Sequence, residues 1–77
     1  MRIAIIGAGH LGYIIAEFLS NEQYDVVVVD SGESKLDAIR DALDVLTIHA
    51  DGTSPSFMRD EDMKGTDIVV AVNVIDV

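Results

Sequence analysis

Apolar residues along the chain follow two alternating periods. Arg2 to Ile6, Asp25-Val26-Val27-Val28-Val29-Asp30, Val45 to His49 and Asp67-Ile68-Val69-Val70-Ala71-Val72 are short, nearly continuous runs rich in β-branched side chains. Such runs predict strands buried on both faces, as in a parallel sheet. Between them the period becomes helical. Leu11, Ile14, Ile15 and Phe18 fall at i, i+3, i+4 and i+7, which predicts a helix from His10 to near Asn21 with these four residues facing the sheet. After the Ser31-Gly32 break, Leu36, Ile39 and Leu43 share one face of a second helix. Asp51-Gly52-Thr53 reads as a turn. Ser54 as N-cap and Pro55 at the first helical position open a brief third helix that closes near Gly65.

Strands that alternate with helices need crossover connections, so the fold class is α/β. The expected architecture is a Rossmann-type parallel sheet in the order 3-2-1-4, flanked by helices. Residues 1–77 read as the N-terminal portion of one such domain, truncated after the fourth strand, with Asn73 to Val77 following it. That would leave the fourth strand as an apolar edge able to pair with another chain, and a homo-oligomer is expected. At 77 residues, a second, substrate-binding domain is not expected.

Composition narrows the function classes. The chain is 49% hydrophobic and 25% charged, with apolar runs too short for a membrane helix, so no direct membrane insertion is expected. The apolar stretch after Met1 breaks at Gly7 without a cleavage-type end, which reads as a cytosolic start. Without cysteine there is no disulfide framework, thiolate metal site or cysteine nucleophile. A net charge of -9 opposes the lysine and arginine contacts that drive nucleic-acid binding, so no nucleic-acid partner is expected. A phosphate ligand must then be held by local dipoles.

The segment suited to that task is Gly7-Ala8-Gly9-His10-Leu11-Gly12. A lone G-x-G-x-x-G is a weak signal, but this one follows a strand, opens a helix, and has Asp30 ending the next strand about 20 residues on. Gly7 would permit the tight turn, Gly9 the approach of backbone to pyrophosphate, and Gly12 close packing of helix on strand. The unpaired N–H groups near His10, Leu11 and Gly12 would face the phosphates with the positive end of the helix dipole. Asp30 would accept hydrogen bonds from ribose hydroxyls and repel a 2′-phosphate. Neither Ser31 nor Gly32 supplies the arginine that NADP favours, so NAD or an adenosine nucleotide is expected.

Each of these residues also has a plainer reading. Asp30 could simply begin the turn. The His10 ring could cap the helix region, or stand beside phosphate and tune affinity through its charge. His49 reads as a packed or edge residue rather than a metal ligand, and Met58 and Met63 as core filler. Asp25 reads as a solvated strand end. Glu17, Glu22, Glu33, Asp37, Asp41 and Asp44 read as a solvated acidic face, and no catalytic or metal-ligating constellation is evident.

Ile5-Ile6-Gly7-Ala8-Gly9-His10-Leu11-Gly12, Asp25 to Asp30, Ala50-Asp51-Gly52-Thr53-Ser54-Pro55 and Thr66 to Val72 together resemble the N-terminal nucleotide-binding domain of Trk-type potassium-uptake regulators, the KTN or RCK domains, over essentially the whole chain. Ala50 stands where that family usually has glycine. The resemblance implies that Asp51, Gly52 and Thr53 approach the adenosine part of a nucleotide, and that Asn73 and Val74 lie beside the glycine loop. It implies a regulatory domain, not an enzyme, that senses NAD or NADH, with ATP and ADP left open because His10 replaces a basic residue. The implied partner is a membrane potassium transporter or channel subunit, with the domain cytoplasmic and peripheral to the inner face of the cell membrane. Two alternatives stand beside it: the front fragment of an NAD-dependent dehydrogenase, and a structural α/β module that has lost its ligand.

Overall fold

The computed structural model describes residues 1–50 and 63–72. Strands β1 (Arg2–Ile6), β2 (Asp25–Asp30), β3 (Leu46–His49) and β4 (Ile68–Ala71) are joined by helix α1 (His10–Asn21) after β1 and helix α2 (Glu33–Ala42) after β2. Among the described residues the three strand pairings are parallel, and the sheet order is β3-β2-β1-β4, as expected from the alternation. Register follows the apolar runs: Ile5 lies between Val28 on β2 and Val70 on β4, and Val29 pairs with Ile48 on β3.

Because β1 and β2 have neighbours on both sides, their apolar side chains are almost wholly buried, with Ala4, Ile5, Val27, Val28 and Val29 fully so. Alternation divides them between two clusters. Ile5, Val26 and Val28 pack under both helices with Ala16, Leu36 and Ile39. Ala4, Ile6, Val27 and Val29 face the other side with Ile48 and Met63. Burial of Met63 on that second face agrees with its reading as core filler. Met58 and the helix start at Ser54 and Pro55 lie outside the described residues.

β3 and β4 are edge strands and leave apolar side chains in water, Leu46, Ile68 and Val69 among them. The fourth strand is shorter than the apolar run, but its ladder extends at both ends: Asp67 N–H donates to Arg2 O (2.8 Å) and Val72 N–H to Ile6 O (2.9 Å). Val45 likewise precedes β3 rather than belonging to it. At the start of β1, the Arg2 guanidinium pairs with Asp25 (2.9 Å) and donates to Lys64 O (3.2 Å), while Arg2 N–H donates to the Asp67 carboxylate (2.9 Å). Asp25 is therefore an ion-pair partner joining β1 to β2, not only a solvated strand end.

The orientation of α1 differs from the sequence expectation. Its buried residues are Gly12 and Ala16, with Tyr13, Ile15 and Leu19 partly covered, whereas Leu11 (54% exposed), Ile14 (47%) and Phe18 (62%) face solvent. The reason is closeness. Small residues four apart let the helix lie against the sheet, so the contact line runs through them and the bulky stripe becomes a flank. α2 behaves as expected, with Leu36 and Ile39 buried and Leu43 half-buried. Among the described residues, no helix is long and apolar enough to cross a membrane.

Candidate functional site

The site forms where the carboxyl ends of the strands meet the β1–α1 loop. Gly7 has φ 121°, a left-handed conformation that side chains disfavour, and its N–H donates to Val29 O (2.8 Å), which ties the turn to β2. A Cβ on Gly12 would lie 2.0 Å from the Gly7 carbonyl oxygen and 3.4 Å from Val72 Cγ2, so only glycine lets α1 begin this close to β1. Gly9 is different: it is exposed, extended (φ -75°, ψ -166°), and a Cβ there meets nothing within 4 Å. Two of the three glycines are thus required by the protein itself, and the middle one keeps open space.

That space lies over the start of α1. The helix's first turn closes with Tyr13 N–H donating to Gly9 O (2.9 Å), so the N–H groups of His10, Leu11 and Gly12 have no acceptor within the helix. Gly9 offers no capping side chain, and no acidic residue stands in the first turn. An uncapped helix start with its positive dipole end exposed suits a phosphate. Beside it, Ala8, Gly9, His10 and Tyr13 line one wall of an open cleft of about 370 Å³, and Lys35, Ala38 and Ile39 of α2 line the other. A second cleft of about 400 Å³, bordered by Tyr24, Asp25, Asp44 and Leu46, lies at the amino ends of β2 and β3. Parallel α/β sheets bind ligands at the opposite end.

Asp30 is half-buried at the tip of β2. One carboxylate oxygen accepts from Ala8 N–H (3.0 Å) and the other from Gly32 N–H (2.7 Å). The turn-forming reading of Asp30 is therefore correct as far as it goes, since the Gly32 bond closes an Asx-type turn, and the Ala8 bond reaches across to the glycine loop. The Ser31 carbonyl is bonded to His49 Nε2 (2.9 Å), and because a carbonyl only accepts, that ring nitrogen carries the hydrogen. His49 is thus an exposed edge residue that steadies the β2–α2 turn. Ala50 N–H donates to Asp30 O (3.0 Å).

Gly7, Ala8, Gly9, His10, Leu11, Gly12, Asp30 and Ser31 are brought to this one edge, with Leu11 contributing backbone while its side chain faces solvent. Asp51, Gly52, Thr53, Asn73 and Val74 lie outside the described residues. The residues preceding them, Ala50 and Val72, are anchored here by their bonds to Asp30 and Ile6. Sequence reasoning missed Tyr13 and Lys35. Lys35 falls five positions after Asp30, in the first turn of α2, and its Cδ and Cγ lie 3.4 and 3.6 Å from where a Gly32 Cβ would sit. Positions 31 and 32 carry no cation, but Lys35 lies over that turn, which leaves the Asp30 charge alone to oppose a 2′-phosphate there.

Sheet order, glycine loop and strand-end carboxylate define the class, a Rossmann-type nucleotide-binding fold. A family model described as the TrkA-N domain matches residues 3–76, and the chain belongs to that family. It is 34% identical over 76 residues to the Trk system potassium uptake protein TrkA of Halomonas elongata, and 33% identical to that of Haemophilus influenzae, covering 99% of this chain in both. A TrkA homolog of Methanosarcina mazei is 38% identical over 78 residues. The chain spans about 17% of the length of the first two relatives and 16% of the third.

Proposed function

We propose that this chain is a ligand-sensing regulatory module of a potassium-uptake system, binding NAD or NADH at the glycine loop without turnover. The observation that carries the reading is the uncapped start of α1 beneath the open space at Gly9, with Asp30 beside it. The amides of His10, Leu11 and Gly12 hold the pyrophosphate, Gly9 admits it, and the free lone pairs of Asp30 accept from the ribose hydroxyls. Ser31 borders the ribose. Asp51, Gly52 and Thr53 serve the adenosine end, and Asn73 and Val74 close the loop side. ATP and ADP present the same adenosine and diphosphate groups and compete for these atoms.

The relatives' names refer to potassium uptake and to no enzyme activity, which supports sensing over catalysis. The partner in this reading is a membrane potassium transporter or channel subunit, met at the cytoplasmic face by a homo-oligomer of the domain. Calorimetric titration of the protein with NADH, NAD, ATP and NADPH tests the core of it. Saturable binding of NAD or NADH, with NADPH weaker because Asp30 opposes a 2′-phosphate, is the expected result. Absence of heat for all four overturns the nucleotide reading, and steady hydride transfer by the protein overturns sensing without turnover.

A further inference from the structure

We propose that Asp30 is a positioning residue for the phosphate seat, a carboxylate strut that sets the glycine loop, and not solely an acceptor for ribose. This rests on the nucleotide-binding reading above and adds a second role to one of its residues.

The strut joins groups 22 residues apart: Ala8 N–H on the β1–α1 loop and Gly32 N–H on the β2–α2 turn, one on each carboxylate oxygen. Hydrogen bonds to an ionised acceptor are stronger than neutral ones, so this is the firmest tie available between loop and turn. Close approach is built in at both ends. Ala8 is buried, and a Cβ at Gly32 would lie 3.0 Å from the Asp30 carboxylate, so glycine there leaves the oxygen its place. Together with the bond from Gly7 N–H to Val29 O, the strut fixes two successive amides immediately before Gly9. Their direction determines where the amides of His10, Leu11 and Gly12 point. Ala8 N–H is spent on Asp30 and is not offered to an anion, so the seat begins at Gly9. A carboxylate has about four lone-pair sites, and two are occupied here, which leaves capacity for ribose hydroxyls. Loss of Asp30 therefore reaches both halves of the ligand.

A ligand lacking the ribose hydroxyls separates the two roles. Affinities for ADP and for 2′,3′-dideoxy-ADP are measured on the wild-type protein, Asp30→Ala and Asp30→Asn. The strut predicts that Asp30→Ala weakens dideoxy-ADP by about three- to tenfold, and that Asp30→Asn, whose amide oxygen can still accept from Ala8, recovers part of that loss. Unchanged dideoxy-ADP affinity in both variants overturns the proposal and leaves Asp30 a ribose contact alone. Should Asp30→Ala fail to fold, the isosteric Asp30→Asn carries the comparison. Hydrogen exchange at the Ala8 amide judges the strut without any ligand: protection in the wild type that falls in Asp30→Ala and is at least partly kept in Asp30→Asn supports it, and equal protection in wild type and Asp30→Ala overturns it. Failure of the wild type to bind either nucleotide would count against the nucleotide reading, while the Ala8 amide would still decide the strut.

Discussion

At the scale of single residues, the glycines of one motif do unlike work. Gly12 answers to the protein, because any Cβ there meets the Gly7 carbonyl oxygen at 2.0 Å. Gly9 answers to whatever enters, because a Cβ there meets nothing. Gly12→Ala is expected to destabilise the fold by about 1–3 kcal/mol, as overpacking does. In a domain of this size that lowers the melting midpoint by at least ~4 °C. Gly9→Val should leave the far-ultraviolet circular dichroism and the melting midpoint close to wild type while abolishing nucleotide binding in the calorimeter. Equal melting midpoints for Gly12→Ala and wild type would show that the helix start can shift, contrary to the close packing described. The motif was readable as spacing in the chain, and so was Asp30. The contact of Asp30 with Ala8 was not, because it depends on the distance between two turns that only the sheet register sets.

At the scale of elements, α1 shows how a correct period can yield the wrong face. Leu11, Ile14 and Phe18 lie on one side of the helix as the spacing requires, but the side against the sheet is drawn by Gly12 and Ala16. Small residues carry little weight in a hydrophobic pattern and decide how near a helix can come, so the bulky stripe dominated the sequence signal. Two substitutions distinguish the faces. Phe18→Gln is expected to change stability by no more than about 0.5 kcal/mol, as an exposed position allows. Ala16→Leu is expected to cost about 1–3 kcal/mol by overpacking a fully buried position. Chemical denaturation of both variants checks the assignment, and the reverse ranking would restore the original face.

At the scale of the whole molecule, the net charge of -9 sets a background that individual ion pairs do not offset. The Arg2–Asp25 pair is the clearest tie at the amino ends of the strands, yet Asp25 is more than half exposed, and pairs of that kind contribute about 0–1 kcal/mol. Glu17, Glu22, Glu33, Asp37, Asp41 and Asp44 are all exposed, as the sequence suggested, and repel one another through water. Raising ionic strength from about 0.01 to 0.15 M shortens the Debye length from about 30 to 8 Å. The melting midpoint is expected to rise over that range, because screened repulsion outweighs the weakening of the two ion pairs among the described residues, Arg2–Asp25 and Arg40–Asp37. A falling midpoint in a thermal melt series would mean that the Arg2 contacts, not the overall charge, govern stability.

The sequence by itself determined the strands, the order in which they assemble, the glycine loop and the carboxylate at the tip of β2, because each is written in local spacing and in the connections a parallel sheet permits. Tertiary structure alone decided which face of α1 meets the sheet, that Lys35 folds over the Gly32 turn beside the cleft, and that Asp30 holds Ala8 across the mouth of the site. Those outcomes depend on how closely elements distant in the chain approach one another, and that distance is set by packing rather than by any period along the chain.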